Sequence, residues 1–572
     1  EIPVTLRDDI PDPDFTLSAP GSWDGRKTIE VVPRIGNLAA LEAKGAGHVQ
    51  IDWNVGDVAV TRRIEPGKLV LQRAQGNGVA RVTATIDNGG AKVARSVLIA
   101  VQQPPPSVEA WVRRQPGPTE QPEDNQFIAR EGRGPGKGQT GSLVYAGTLA
   151  KAADSVFVRL FAGDKLTRTE TARVGPDGKY AVSVRVEAGL TKYRTEFGSR
   201  TGDRESILHT AGNILCGDVF LICGQSNAVA TDFGKGPSPA PSDWVRTFGA
   251  TSGDPKGSRL RLWAPAEARG PGGKAEIGFW GMELGRRLVE SEGIPVCILN
   301  GAVGGTRIDQ HQRNNQDPAD PGTIYGRLLW RVREAGLTHG VRAILWHQGE
   351  NDQGADGPTG GYGYETYRQY FVDLAASWKE DYPNVQHYFA FQIWPKACAM
   401  GIDGSDNRLR EVQRTLPRLF SNLGMVSTLG IKPPGGCHFP AEGYAEFARM
   451  LHPLMRQRLY DGPAGLFEPP NLRRARFNST RRDEVVLEFD QEVRWSDALA
   501  SQFQIGGENG QVVAGSADGM RITLRLKGPT RSGTVTYLDS ATWSPDNLLR
   551  GQNGLAALTF CEVPIDPPQS GR

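Results

Sequence analysis

Short apolar segments alternate with helix-like segments between residues 213 and about 462, and this alternation limits the possible folds more than any other feature. The apolar segments have the length of strands and lie at 218–223, 295–300, 342–347, 388–393 and 424–429. Helical patterns fill the intervals between them, near 278–292, 325–336, 362–380 and 406–419. Right-handed crossovers then make the sheet parallel, with helices on its faces. The sequence therefore predicts a three-layer α/β domain.

The remainder of the chain is patterned for β-strands. Apolar and polar residues alternate in runs such as 81–86 and 93–99, which a hairpin signal at 87–90 connects. We expect an immunoglobulin-like sandwich over 1–103, followed by a proline-rich linker. A second sandwich over 107–212 is expected to pack rigidly on the α/β domain at 213–462, and a third is expected over 466–566. The Pro-, Gly- and Arg-rich stretch at 114–140 is expected to be mobile.

Composition excludes several classes of protein. The chain has 572 residues and a formal net charge of +2, which argues against nucleic acid as the main partner. No apolar run reaches about 18 residues, so no membrane span is predicted. His, Cys and Asp residues do not cluster at the spacing of metal ligands, and no metal is expected. The start at Glu1 suggests a mature secreted or periplasmic protein. The six cysteines do not form a disulfide scaffold, and Cys398 with Cys437 is the first pair to test, because this disulfide would tether the loop before His438.

Polar clusters follow four of these segments. Because the carboxyl ends of parallel strands share one edge of a sheet, residues about two hundred positions apart can converge there. The clusters are Gly224-Gln225-Ser226-Asn227, Gly304-Gly305-Thr306-Arg307, Gln348-Gly349-Glu350-Asn351-Asp352 and Gly436-Cys437-His438.

These residue types fit acyl transfer. A serine hydroxyl is a weak nucleophile until a base removes its proton, and histidine suits that task near neutral pH. Ser226 is the predicted nucleophile and His438 the predicted base. Donors for the developing oxyanion are expected from the backbone N–H groups of Ser226 and Gly305 and from the Gln348 side chain. The residues expected at the substrate-binding surface are Gln225, Asn227, Thr306 and Arg307. Within this set, Asn227 is expected to hold the turn.

In this order the motifs resemble the SGNH (GDSL-like) hydrolases, in particular the branch of sialate O-acetylesterases and acetylxylan esterases. The resemblance covers roughly residues 210 to 460 and includes the Trp346–Glu350 stretch. It implies a secreted carbohydrate esterase that removes O-acetyl groups from glycans through an acyl-serine intermediate. Its implied partner is an acetylated oligo- or polysaccharide, with no cofactor and no assigned oligomeric state.

The chain departs from the family pattern at the acid that orients the catalytic histidine. The family has an Asp two or three residues before this histidine, but here Gly435 and Gly436 occupy those positions before His438. Glu350 and Asp352 are the candidates that could replace it by motif. A serine-histidine dyad, with the imidazole held by a backbone carbonyl, is the second interpretation, and loss of activity is the third.

Structural roles compete with these assignments. Glu350 could pair with Arg307 or Arg410, and Gln348 could cap the end of its strand. His347 is expected to point to the opposite face from Gln348 and to be structural.

Two other functions share the same residues. An esterase for a different acyl group would use an identical site. A non-catalytic glycan-binding protein is suggested by the three β domains and the missing Asp. Phosphate or nucleotide chemistry is disfavoured, because no phosphate-loop motif accompanies the glycine turn.

Overall fold

The computed structural model describes residues 10–44, 49–56, 60–104, 109–251, 253–352, 363–395, 404–431 and 436–568. The chain folds into two compact units. The first contains the residues up to Ala110 together with Phe371–Ser377 and Thr415–Asn422. The second contains Trp111–Tyr370, Trp378–Arg414 and the residues from Leu423 onward.

The first unit contains two four-stranded sheets, with the orders β1-β3-β6-β5 and β2-β8-β7-β4. Its elements are β1 (Phe15–Ser18), β2 (Ser22–Trp23), β3 (Ile29–Ile35), α1 (Leu38–Lys44), β4 (Gln50–Gly56), β5 (Val60–Glu65), β6 (Lys68–Ala74), β7 (Gly78–Asp87) and β8 (Val93–Val101). Apolar residues of both sheets form its core, among them Trp23, Val31, Leu69 and Val82. The predicted hairpin connects β7 to β8.

The second unit begins with further strands, β9 (Phe127–Ala129), β10 (Thr140–Thr148), β11 (Ser155–Ala162), β12 (Lys165–Arg173), β13 (Lys179–Glu187), β14 (Tyr193–Thr201) and β15 (Arg204–Gly224). The 21-residue strand β15 pairs with β14 in its first half and enters the central sheet in its second half. Parallel pairing of β9 with β15 ties residues 114–140 into the fold. The expectation that residues 114–140 form a mobile excursion is therefore wrong.

The central sheet has the order β17-β16-β18-β15-β19-β20-β21. Its other strands are β16 (Val245–Phe248), β17 (Trp263–Pro265), β18 (Val296–Asn300), β19 (Val341–His347), β20 (His387–Gln392) and β21 (Leu423–Ser427). All neighbours pair in parallel except β16 and β17. The five strands predicted from apolar runs are present. The edge strands β16 and β17 were not predicted, because their sequences VRTF and WAP are short and partly polar.

Helices follow the strands of the central sheet. They are α2 (Ser226–Val229), α3 (Phe279–Glu292), α4 (Ile324–Glu334), α5 (Tyr364–Asp381), α6 (Ser405–Thr415) and α7 (Ala441–Leu459). The predicted apolar face of α7 is buried, including Tyr444, Phe447 and Leu451. Among the described helices, none combines the length and the apolar character needed to cross a membrane.

The chain ends in a further β-rich region whose main sheet has the order β26-β25-β29-β31-β22-β23-β28-β27, beside the pair β24-β30. Its strands are β22 (Leu472–Phe477), β23 (Glu484–Phe489), β24 (Val493–Arg494), β25 (Phe503–Ile505), β26 (Glu508–Asn509), β27 (Val512–Asp518), β28 (Arg521–Leu526), β29 (Thr534–Tyr537), β30 (Arg550–Gly551) and β31 (Phe560–Asp566). Phe489, Phe503, Ile522 and Tyr537 are among its core residues.

The register of the central strands brings their polar ends to one level. Ile222 of β15 lies opposite Asn300 of β18, and Gly224 lies opposite His347 of β19. The glycine turn after β18 and the polar cluster after β19 therefore flank the turn after β15 on either side.

Candidate functional site

A tight turn presents Ser226 at the end of β15. Gly224 adopts φ +131°, and a Cβ added there would lie 2.0 Å from the His347 carbonyl oxygen, so this position requires glycine. Gln225 N donates to the same carbonyl at 3.0 Å. Ser226 then begins the short helix α2 and is half-buried. The predicted nucleophile thus lies at a strand end, in a turn fixed by the neighbouring strand.

The glycine turn after β18 lies beside this serine. A Cβ added to Gly304 would lie 3.6 Å from the Ser226 Cβ, and Gly305 adopts φ +71°. Within the described residues, the N–H groups of Ser226 and Gly305 donate to no acceptor, and Ser226 Oγ makes no hydrogen bond. Two backbone donors and a hydroxyl group therefore have no hydrogen-bond partner in the part of the chain that the structure describes.

His438 has a carboxylate partner that the sequence did not predict. Its Nδ1 lies 2.9 Å from Asp232 Oδ2, and the side chains are 27% and 76% exposed. Asp232 follows Ser226 by six positions, in the loop after α2. Among the described residues, the carboxylate that contacts His438 thus comes from the segment that follows Ser226. Gly436 is exposed, and Gly435 lies outside the described residues.

The residues on either side of Asp232 fix its loop. Phe233 is buried edge-to-face against Phe279, with ring centroids 4.9 Å apart, and the Arg269 guanidinium lies 4.3 Å from the centre of its ring. Arg269 Nε also donates to the Thr231 carbonyl at 2.8 Å. A phenylalanine directly after an acidic residue in a loop was the available sequence signal, because its burial determines where the acid projects.

Asn227 connects the serine turn to the histidine loop. Its Nδ2 donates to Glu350 Oε1 at 2.8 Å and to the Cys437 carbonyl at 3.1 Å. Its Oδ1 accepts from Tyr444 OH at 2.9 Å. Asn227 is 1% exposed, which fits the expectation that it holds the turn and not a contact with substrate.

Glu350 lies beneath the site and not beside His438. It is 1% exposed, and its Oε1 lies 3.1 Å from His347 Nε2 in addition to the Asn227 contact. Burial raises the pKa of Glu350, but the nearby His347 and the hydrogen bonds outweigh this effect, and the pKa is lowered overall. The predicted ion pair with Arg307 or Arg410 is not formed among the described residues, and neither is a contact of Glu350 with His438. The reason is that Glu350 turns inward, toward the core face of β19.

The arginines suggested as partners of Glu350 bind other carboxylates. Arg410 pairs with Asp406 at 2.6 Å, and Arg307 pairs with Asp309 at 3.0 Å. Arg307 is about one-third exposed and can still contact a ligand.

Gln348 and Gln225 are buried, and their side-chain amides form hydrogen bonds to the neighbouring loops. Gln348 Nε2 donates to the Thr306 carbonyl at 3.0 Å and to Asp352 Oδ2. Gln225 Nε2 donates to Asn351 Oδ1 at 2.8 Å, and its Oε1 faces the N–H groups of the loop after β19. The structure thus differs from the expectation that Gln348 donates to an oxyanion and that Gln225 binds substrate. Both amides instead hold the three turns together.

Asp352 supports the glycine turn. Its carboxylate accepts from Ile308 N at 3.1 Å and from Gln348, and the residue is 2% exposed. Burial raises the pKa of Asp352 to about 7, although both hydrogen bonds oppose this shift. Asp352 makes no contact with His438 within the described residues, because it lies on the opposite side of the serine turn.

Thr306 is also structural in its contacts. Its hydroxyl donates to the Val303 carbonyl at 2.7 Å and lies 2.8 Å from His311 Nε2. Burial lowers the pKa of His311 to about 3, so this imidazole is neutral. Thr306 is 8% exposed, and its expected substrate contact therefore has little open surface to use.

The cysteines agree in part with the expected disulfide. Cys437 is disulfide-bonded, whereas Cys216, Cys223, Cys297 and Cys561 are free. The predicted partner Cys398 lies outside the described residues. The residue before His438 is therefore held both covalently and through the hydrogen bond from Asn227 to its carbonyl.

Comparison with known proteins agrees with the geometry. Residues 216–457 match the family model for carbohydrate esterase, sialic acid-specific acetylesterase (SASA). This segment is thus similar in sequence to the carbohydrate O-acetylesterases of that family. The resemblance based on the motifs is thus confirmed. No curated protein matches the sequence.

Solved structures support the fold. A carbohydrate acetylesterase from Xanthomonas citri is similar with a TM-score of 0.56 and 20% identity, over 77% of this chain and 97% of that chain. The structure of NanS is similar over 42% of this chain and 98% of that chain, at 15% identity and a TM-score of 0.32, which is too low to support an argument.

Replacement of Asp232 by Asn tests the unexpected acid. If Asp232 orients His438, the neutral amide lowers kcat for 4-nitrophenyl acetate by about 10² to 10⁴, as loss of tautomer control does in other triads. KM and the melting temperature stay near the wild-type values, because Asp232 is largely exposed. The matched control is Asp203→Asn in the exposed turn between β14 and β15. Equal activity of the two variants would remove Asp232 from the site.

Replacement of Asn227 by Ala tests the connection between the two loops. Loss of its amide removes one hydrogen-bond donor from the buried Glu350 carboxylate, so unfolding in urea becomes easier by about 2 to 4 kcal/mol. Tyr444→Phe, which removes a single hydrogen bond to Asn227, costs about 1 kcal/mol. If Asn227 stabilised the fold only through its hydrogen bond with Tyr444, the two variants would lose the same free energy of unfolding.

Asp352 predicts a pH dependence of stability. Its pKa is about 7 in the folded chain and about 3.9 when unfolded, so its neutral form contributes stability that is fully present below about pH 4. This contribution is lost as the pH rises to about 7, at no more than about 1.4 kcal/mol per pH unit. The free energy of unfolding of the wild type, measured relative to Asp352→Asn between pH 4 and 8, therefore falls over this range. If the free energies of unfolding of the two proteins changed in parallel between pH 4 and 8, the raised pKa of Asp352 would be contradicted.

Proposed function

We propose that this protein removes O-acetyl groups from glycans through an acetyl-serine intermediate, with Ser226 as nucleophile, His438 as base and Asp232 as the acid that orients it. The observation that carries the proposal is the 2.9 Å contact between His438 Nδ1 and Asp232 Oδ2, next to a turn that presents Ser226. The SASA family match supports the acetyl ester and the carbohydrate.

Acylation needs a proton acceptor on the side of the imidazole that faces away from Asp232. With Nδ1–H donating to Asp232, His438 Nε2 is unprotonated and removes the proton from Ser226 Oγ as the oxygen attacks the acetyl carbonyl carbon. Collapse of the tetrahedral intermediate breaks the bond between carbon and the sugar oxygen, which takes the proton from Nε2. The hydrogen bond between Ser226 and His438 forms when substrate binds, since catalytic hydrogen bonds are often long or poorly aligned in ligand-free enzymes.

The oxyanion has donors in the two free backbone N–H groups. Ser226 N and Gly305 N flank the serine hydroxyl and are fixed by turns, so they need little reorganisation when negative charge develops. Gln348 contributes by holding the Thr306 carbonyl, which keeps the Gly305 turn beside Ser226. Hydrolysis of the acetyl-serine repeats the steps with water, which His438 deprotonates.

The wider assignment follows from the same observations. We infer an SGNH three-layer catalytic domain at 213–462, with β-sandwich domains at 1–103, 107–212 and 466–566. The parallel order of the central sheet and the similarity to the Xanthomonas citri acetylesterase support this architecture. The disulfide at Cys437 supports a secreted or periplasmic location, because disulfides persist in oxidising compartments.

The alternative of a non-catalytic glycan-binding protein loses its main support. It was based on the three β domains and on the missing acid, and the second ground is weakened because the Asp232 carboxylate contacts His438. An esterase for another acyl group keeps the same mechanism and differs in its preference among nitrophenyl esters.

Acetate release tests the proposed function. The wild-type protein is incubated with acetylated xylan oligosaccharides and with O-acetylated sialic acid, and free acetate is measured. Ser226→Ala and His438→Ala each remove nearly all activity, and the double variant is no worse than either, because nucleophile and base act as one unit. Acetate release by Ser226→Ala at the wild-type rate would contradict the serine mechanism. Faster cleavage of butyryl than acetyl nitrophenyl ester would favour the other acyl class.

A further inference from the structure

A second cavity, of about 750 Å³, lies at the opposite edge of the central sheet from Ser226. Its lining includes Arg130, which pairs with Asp218 in β15, and Gly340, which precedes β19. Asp218 marks the start of the parallel part of β15, whereas Ser226 follows its end. Eight residues of extended chain separate the two positions, or about 25 Å. This cavity, called the distal cleft below, is therefore separate from the acetylesterase site.

The walls of the distal cleft are fixed by the protein's own hydrogen bonds. Val112 N donates to Asn384 Oδ1 at 2.9 Å, and Asn384 Nδ2 donates back to the Val112 carbonyl at 2.7 Å. Asn384 also donates to the carbonyl of the lining residue His339 at 2.7 Å. Glu120 exchanges both backbone hydrogen bonds with Ala146 at 2.9 Å. A ligand would meet a preformed surface, which lowers the entropy lost on binding.

The charges of the distal cleft already compensate one another. Three of its guanidinium groups pair with carboxylates within 3 Å: Arg114 with Glu120, Arg261 with Glu123 and Arg185 with Glu131. The exposed Arg113 lies 3.5 Å from Glu131. An anionic ligand would have to compete with these carboxylates. Paired guanidinium and carboxylate groups still offer donors and acceptors side by side, which suits neighbouring hydroxyl groups of a neutral ligand.

Aromatic and amide groups complete this surface. The half-buried Trp111 is held by the Arg342 guanidinium, 5.1 Å from its ring centroid, and lines the cleft. An indole ring provides a flat apolar area with little loss of conformational freedom. The exposed amides of Gln115 and Gln121 also line the cleft.

We propose that the distal cleft is a second carbohydrate-binding site, which takes a neutral oligosaccharide segment of the polymer that the Ser226 site deacetylates. The inference rests on the proposed function for the presence of a glycan. A sugar ring presents C–H groups to the Trp111 indole and hydroxyl groups to the Arg114–Glu120 pair and the Gln side chains. One polysaccharide chain held at the distal cleft raises the effective concentration of its acetyl groups near Ser226.

Binding is measured with the Ser226→Ala protein, by affinity electrophoresis in gels that contain acetylated xylan or polygalacturonate. Trp111→Ala added to this protein weakens retention by xylan at least tenfold. Gln115→Ala with Gln121→Ala weakens it several-fold and alters exposed side chains only, so misfolding does not explain the loss. Val112→Ala is the matched control, since Val112 is a 45% exposed neighbour of Trp111 that does not line the cleft.

Kinetics separate the distal cleft from the catalytic site. In the active enzyme, Trp111→Ala raises KM for acetylated xylan several-fold and leaves kcat/KM for 4-nitrophenyl acetate within twofold. Unchanged xylan retention in both the Trp111 and the Gln variants would overturn the proposal, as would equal retention by polygalacturonate. If the wild type releases no acetate from xylan but its retention still depends on Trp111, the proposed esterase substrate fails and the binding site stands.

Discussion

The buried contact between Asn227 and Glu350 is the interaction on which the catalytic geometry depends. Ser226 and His438 come from segments more than two hundred residues apart, and a side chain one residue after the serine reaches the carbonyl one residue before the histidine. The loss of hydration of a buried carboxylate is offset only when its hydrogen-bond partners are in place. The hydrogen bond to Glu350 therefore fixes the Asn227 amide in one orientation. The relative position of Ser226 and His438, the proposed nucleophile and base, is thus fixed by contacts in the protein core.

The strand that carries the serine is itself held at both ends. At its lower part, Asp218 binds Arg130 at 2.7 Å and Tyr460 OH at 2.7 Å, with all three side chains buried. At its upper end, Gln225 N and the Gly224 turn are fixed against His347. Tyr460 directly follows α7, the helix that begins just after His438. The strand of the nucleophile and the helix that follows the base therefore meet again at the far edge of the sheet.

Sequence reasoning predicted the features that depend on periodicity and not those that depend on loop paths. The five central strands, the glycine turns and the convergence of Ser226, Gly305 and Gln348 followed from apolar runs and from the geometry of a parallel sheet. Asp232 was missed because its place depends on how Phe233 packs after α2, and no spacing rule describes that packing. The inward turn of Glu350 was missed for a related reason, since a strand ends at His347 and its alternation of faces stops there.

The acids near the site differ in the cost of keeping their charge. Glu350 is buried with a lowered pKa, and its Oε1 contacts both His347 and Asn227. Asp352 is buried with weaker compensation, and burial raises its pKa to about 7. Asp232 is 76% exposed, so water stabilises its charge while it faces His438. In the proposed mechanism the imidazole gains and loses a proton in each cycle, and of these three carboxylates Asp232 is the one that contacts it.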